Sequence, residues 1–317
     1  MSSRLTLLLV SILILSTVGS GQVRRGKAFS DWEPVVHLPP PINSEFDDHA
    51  AILSKDEKTM YFTSNRTGSV DGSEDIWIST RKTRNSPWRE PFRLIGPNIN
   101  TSAMERVRSF ADDGRVLLFQ SDRTTGGFGQ SDIWAISRKH VNDDFGWSEP
   151  VNLGPVINTT ATELASSYLF ADGGRVKKLF FSSSKPGGFG GPDIYESTIS
   201  DLGFELSVNV FELNTPSIET CFMVRDDGLE LIFSSNRPDL SGDRTIDDLW
   251  VSTRDSVYEP WSAPTRLGPN VNVFGAQDVN PSLSHDYRTM MMASKRPGGI
   301  GDGTFDIYMT TRRPVSR

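Results

Sequence analysis

The sequence predicts an all-β fold, a five-bladed β-propeller of four-stranded antiparallel blades. Three recurring features carry that prediction. An Asp, an Ile or Leu and an aromatic residue open a short strand at Asp75-Ile76-Trp77, Asp132-Ile133-Trp134, Asp193-Ile194-Tyr195, Asp248-Leu249-Trp250 and Asp306-Ile307-Tyr308, in steps of 55 to 61 residues. Upstream of each stands a serine and, two residues on, a cation: Ser64/Arg66, Ser121/Arg123, Ser183/Lys185, Ser235/Arg237 and Ser294/Arg296. A lead-in rich in Trp, Pro, Gly and Asn runs over Trp88…Asn100, Trp147…Asn158 and Trp261…Asn272, blurred at Trp32…Asn43 and nearly lost at Ser207…Asn214. A fixed period of this size marks a repeat architecture.

The second copy shows why each unit is a four-stranded sheet. Glu105 to Ala111 is a first strand, and Asp112-Asp113-Gly114 a tight hairpin turn in which Gly supplies positive φ. Arg115 to Ser121 is a second strand and Asp132 to Arg138 a third, both β-branched or aromatic runs between turn residues. Pro150 to Leu153 is a short fourth, since Pro suits only an edge. Four-stranded units of this length, repeated radially, are propeller blades. The first strand-like run, about Val35 to Leu38, is an outer strand, and the last copy stops after its third strand near Arg312. The N-terminal strand therefore completes the C-terminal blade, and closure removes the free edges of a linear array.

Ahead of the repeats, Arg4, the Leu-rich run Leu5 to Leu15 and the small residues Ser16 to Gly21 read as a secretory leader, too short to span a bilayer. The expected organisation is a leader at 1–21, a flexible segment at 22–31, one propeller at 32–313 and a tail at 314–317. No lasting membrane insertion is expected once the leader is removed, and a monomer is expected. The net charge of −7, with no compensating Lys/Arg cluster, argues against a nucleic-acid surface. The single cysteine, Cys221, excludes an internal disulfide and reads as a buried, inert thiol in a first strand.

The candidate site residues come from the inner strands. Each copy begins its first strand with an acid: Asp48, Glu105, Glu163, Glu219 and Asp278. Inner strands line a propeller's axis, so these acids would ring one mouth, binding a hard cation or offering a pair for glycosidic chemistry. The competing reading pairs each acid with its blade's cation as a structural bridge, which the symmetry favours. The asymmetric neighbours are the sharper functional candidates: Asp47, His49, Arg106 and Arg108 mix with Asp48 and Glu105, the setting in which an imidazole is tuned near neutral pH.

Other features carry less. The Gly-rich loops at 126–129, 187–191 and 298–301 run into strands, whereas a phosphate cradle needs a helix N-terminus behind it. Asp71, Glu74, Asp243, Asp247 and Asp302 decorate such turns and leave calcium open, without the spacing of an EF-hand. Otherwise no cofactor or metal signature is present. Ser284-His285-Asp286 is not a triad, because consecutive turn residues point apart.

The pattern Phe-x-Ser-x-Arg-x-x-Gly-Gly-x-Gly-x-x-Asp-Ile-Trp/Tyr resembles the TolB-type, WD-like β-propeller repeat of exported bacterial proteins. The Trp-x-x-Pro lead-in is similar to the version found in bacterial envelope proteins. The resemblance covers about residues 32 to 312, although Pro238 to Asp243 replaces the Gly-rich loop in the fourth copy. It implies a secreted or periplasmic location and contact with an envelope protein or glycan, but no single reaction. Two functions stay open: a propeller that binds such a ligand through its axial funnel and rim loops, or a carbohydrate-active enzyme (glycoside hydrolase or polysaccharide lyase). Other small-molecule chemistry at Asp48, His49, Glu105 and Arg106 is a weaker third.

Overall fold

In the computed structural model the described residues are 28–111, 114–238 and 246–315. The leader at 1–21 lies outside them, as do Asp112, Asp113 and Asp243. The first blade holds β3 (Asp48–Leu53), β4 (Thr59–Ser64), β5 (Asp75–Thr80) and β6 (Phe92–Arg93). The second holds β7 (Glu105–Ala111), β8 (Val116–Ser121), β9 (Asp132–Ser137) and β10 (Val151–Asn152). In the third, β11 (Glu163–Ala171), β12 (Val176–Ser183) and β13 (Asp193–Ser200) are joined by two short pieces, β14 (Gly203–Phe204) and β15 (Val208–Asn209). The fourth is β16 (Glu219–Val224), β17 (Glu230–Ser235), β18 (Asp248–Thr253) and β19 (Thr265–Arg266). The fifth is β20 (Asp278–Leu283), β21 (Thr289–Ser294) and β22 (Asp306–Thr311), completed by β2 (Val36–His37), which pairs Val36 with Met309 and His37 with Tyr308. All these pairings are antiparallel, so the architecture is a five-bladed β-propeller closed by its N-terminal strand.

The ends are tied more tightly than the sequence suggests. Residues 28–29 and 314–315, read as flexible lead-in and tail, form an extra two-stranded ribbon of β1 (Ala28–Phe29) and β23 (Pro314–Val315). Its anchor is aromatic: the rings of Phe29 and Trp32 lie 4.2 and 4.3 Å from the Arg312 guanidinium.

The repeat motifs are the parts of one row across each blade. The first-strand acid, the serine of the second strand and the Asp of the third stand in register, as in Glu105↔Ser121↔Asp132. The cation two residues on folds back over the aromatic side chains of its own blade. Arg123 sits 5.2 Å from the Phe119 ring and 5.0 Å from Trp134, and Arg237 4.8 Å from Phe233 and 5.3 Å from Trp250. Such stacking adds roughly 0.5–2 kcal/mol per contact. The lead-in Asn works as a surrogate strand: Asn158 Oδ1 accepts the Ile133 N–H at 2.8 Å, and its Nδ2 donates to the Ile133 carbonyl at 2.9 Å. Asn43, Asn100, Asn214 and Asn272 repeat this pairing, so the Asn survives where the rest of the motif is lost.

The core is divided among the junctions. Five apolar clusters occur, each shared by two neighbouring blades; Ile52, Tyr61 and Ile76 of the first meet Val107, Phe119 and Trp134 of the second. Each first-strand acid also donates its backbone N–H to the preceding blade. Glu105 reaches the Glu74 carbonyl at 2.7 Å, Glu163 that of Ser131, Glu219 that of Pro192 and Asp278 that of Asp247. Asp48 closes the circle onto Phe305 at 2.8 Å. The inner strands β3, β7, β11, β16 and β20 thereby surround a common axis.

Candidate functional site in the axial channel

The five first-strand acids do not open onto the channel. All are fully buried, and the protein occupies their oxygens. Glu105 Oε2 accepts the Thr101 N–H at 2.8 Å, while Oε1 accepts the Thr101 and Ser121 hydroxyls at 2.7 and 3.0 Å and Arg123 Nη2 at 2.9 Å. Asp48 with Arg66, Glu219 with Arg237 and Asp278 with Arg296 repeat the ion pair at 2.5, 2.9 and 2.6 Å. In the third blade Lys185 turns instead to the Ser207 hydroxyl, and Glu163 keeps only its hydroxyl and amide donors from Thr159 and Ser183. Burial pushes the Glu105 and Asp278 carboxyls up despite these donors. Spent on holding the blade row together, these acids leave no pair facing a substrate.

The asymmetric candidates separate into two places. At the mouth formed by the starts of the inner strands, Glu74 accepts Arg106 Nε on Oε2 and Nη2 on Oε1, the latter at 3.0 Å, and lies 3.5 Å from His49 Nε2. Burial alone would raise the Glu74 carboxyl, but hydrogen bonds from His49 and Arg106 outweigh it and hold the group well below the usual carboxylate range. His49 is buried against Phe305, with ring centroids 5.8 Å apart, and its Nδ1 has no hydrogen-bond partner. Asp47 accepts the Phe305 N–H at 2.8 Å. Glu74 therefore joins His49 to Arg106 and is not free for calcium. Asp71 and Asp302 are exposed and Asp247 bonds Gln277 at 2.8 Å; among the described residues no three His, Cys, Asp or Glu groups are placed to hold a metal.

Arg108 lies deeper, at the axis. Its Nη2 donates to Gln120 Oε1 and its Nη1 to Asn280 Oδ1 at 3.3 Å, with Cys221 Sγ 3.9 Å away. Its Nε is buried with no partner. Cys221 is half-buried beside this guanidinium, in contrast to the sealed thiol expected. The cause is a β-bulge: Ala50, Cys221 and Asn280, each two residues after its blade's acid, have φ of 52°, 44° and 55°. The bulge leaves these residues lining a small pocket that also holds Arg108.

From there the channel widens at the opposite mouth into a cavity of about 330 Å³. Ile52, Leu53, Phe110, Tyr168, Phe170, Met223 and Leu283 form its apolar wall, and Arg108, Lys55, Asp226 and His285 its polar part. All five blades contribute. Tyr168 and Phe170 lie 5.8 Å apart, inclined by 35°. His285 does not relay to its sequence neighbours; its Nδ1 lies 3.3 Å from Asp226 Oδ2 in the turn of the adjacent blade. Sequence reasoning missed this cross-blade pair because both residues sit in hairpin turns, and only ring closure sets one turn beside the next. The aromatic wall was likewise unmarked, since Tyr168 and Phe170 read as ordinary strand residues.

An open-mouthed, five-sided axial cavity with an aromatic wall and a few polar groups defines the class: a five-bladed β-propeller with a ligand-sized funnel. No protein-family model matches the chain, and no curated protein matches it by sequence. Solved structures match in fold. The catalytic domain of the Coprinopsis cinerea GH62 α-L-arabinofuranosidase is 12% identical with a TM-score of 0.54, covering 89% of this chain and 96% of that one. The endo-arabinase from Bacteroides thetaiotaomicron is 16% identical with a TM-score of 0.52, covering 92% and 98%. A putative TolB from Agrobacterium tumefaciens is 12% identical with a TM-score of 0.47, over 91% and 100%.

Proposed function

We propose that this protein is a carbohydrate-active propeller that seats a saccharide in its axial cavity. The observation that carries the reading is the cavity itself: about 330 Å³, ringed by all five blades, and lined by Tyr168 and Phe170 together with Arg108, Asp226 and His285. Aromatic walls with a few fixed polar groups suit a sugar ring, and the volume sits at the small end of ligand pockets. The same frame in an arabinofuranosidase and an arabinase supports a saccharide over an envelope protein as the ligand. The leader-like residues 1–21 support export, to the periplasm or outside the cell, and the repeat motif supports kinship with the TolB-type propellers.

The chemistry at this cavity differs from a two-carboxylate hydrolase working through the inner-strand acids, because those acids are occupied. A second reading, turnover, is favoured by the His285–Asp226 contact, which leaves the imidazole Nε2 as a group able to take or give a proton at the mouth. Glycan-array binding together with release of reducing ends separates the two. Binding that Tyr168→Ala weakens at least tenfold, without new reducing ends, makes the cavity a receptor. Reducing ends that His285→Ala abolishes make it an enzyme. A folded protein that binds no glycan on the array overturns the proposal.

A further inference from the structure

We infer that Arg108 is the receptor for a carboxylate, so that the saccharide this cavity takes is an acidic one, a glycan bearing uronic acid. The inference rests on the saccharide reading above and adds the substrate class.

The other buried and half-buried arginines discussed above have partners that offset their charge or hold them in place. Arg66, Arg123, Arg237 and Arg296 each meet a carboxylate within 2.5 to 2.9 Å, and Arg106, Arg138, Arg225 and Arg312 are likewise ion-paired. Arg254 is held flat on the Trp261 ring at 4.1 Å, its Nε bonded to the Gly228 carbonyl. Arg108 has neither arrangement. No carboxylate of a described residue pairs with it, its contacts are a side-chain amide on either side and a thiol, and its buried Nε is unpartnered. A guanidinium held largely out of water without a counter-charge is costly, and a bound carboxylate would supply that charge.

Placement supports the same conclusion. Arg108 lines both the narrow axial pocket and the 330 Å³ cavity. Lys55, Asp226 and His285 line the same cavity. A planar guanidinium matches a carboxylate through two parallel N–H···O bonds, which Lys cannot reproduce. Tyr168 and Phe170 then face the ring that carries the carboxylate.

The test is calorimetric titration of the mature protein with tetragalacturonate, a neutral arabinotetraose of equal length and a tetraglutamate peptide. The wild type is expected to bind tetragalacturonate at least tenfold more tightly than arabinotetraose. Arg108→Gln should abolish that preference, and Arg108→Lys should restore only part of it. Because Arg108→Gln also disturbs Gln120 and Asn280, each variant's melting temperature is recorded, and protection of the wild type by free galacturonate over galactose gives an independent reading. Equal affinity for the acidic and neutral glycans overturns the uronate inference and leaves the saccharide reading standing. Failure of both glycans overturns the saccharide reading. Equal or tighter binding of tetraglutamate shows a carboxylate site without sugar selectivity and overturns the inference as stated.

Discussion

Glu230 of the fourth blade is clamped by Arg312 of the fifth through two parallel hydrogen bonds, Nη1 to Oε1 at 2.6 Å and Nη2 to Oε2 at 2.7 Å. Arg225 donates to the same carboxylate at 2.8 Å, and all three side chains are buried. Because Arg312 also carries Phe29 and Trp32, one carboxylate couples two blades to the N-terminal segment.

Glu230→Gln keeps the shape and removes the charge, leaving two buried guanidinium groups short of a partner. A loss of roughly 3–5 kcal/mol follows from the behaviour of broken buried pairs. Urea denaturation should show it as a lower midpoint with an unchanged slope. A loss under 1 kcal/mol would mean the clamp contributes little.

Asn158→Ala removes three hydrogen bonds, two to the Ile133 backbone and one to Asn152, in a fully buried place. The Ile133 carbonyl keeps the Leu153 N–H at 3.2 Å, but leaving the Ile133 N–H unpaired costs about 1–3 kcal/mol, so a loss of about that size is expected. Val151, 63% exposed on the outer strand of the same blade, serves as the control, and its change to Thr should stay within about 0.5 kcal/mol.

The third-strand Asp75 gives a pH signature. Burial raises its carboxyl to about 6, against the Val70 N–H and Arg93, while the nearby Glu105 charge adds to the rise. The folded state thus holds this proton more tightly than the unfolded chain, whose value is about 3.9. The resulting stabilisation is fully present below about pH 4 and is lost as pH rises through 6. Asp75→Asn should therefore stabilise the protein at pH 7.5 by on the order of 2 kcal/mol and leave it nearly unchanged at pH 4. Melting curves across that range check it, and a pH-independent difference between variant and wild type contradicts the assignment.

Removing residues 1–38 takes away β2, leaving the Ile307 to Met309 edge of the fifth blade open. The truncated chain should lose its single cooperative melting transition and gain a concentration-dependent light-scattering signal, since an unpaired edge templates association. Adding back the 28–38 peptide in excess should partly restore the transition.

The ring and its closure were legible because the third-strand Asp and the second-strand serine hold a fixed register in every copy, so spacing alone counts blades. The acid–cation pair was legible as one of two readings for the same reason: Glu105 and Arg123 recur together. What lay hidden was asymmetric. Arg108 was legible as an asymmetric candidate beside Glu105 and Arg106, but its separation from them was not, because the β-bulges at Ala50, Cys221 and Asn280 decide which side chains turn to the axis. The approach of His285 to Asp226 spans 59 positions and depends on how far each blade is rotated from the last, a quantity that repeat spacing does not contain.

The pairing of Val36 with Met309 also sets a schedule for biosynthesis. A ribosome adding about 5–20 residues per second needs roughly 14–55 s to pass from the first residue to the second. Through that interval β2 waits without its neighbour, and the fifth blade cannot be finished before Met309 has been added. A holding chaperone has that long to keep the waiting strand apart from other chains.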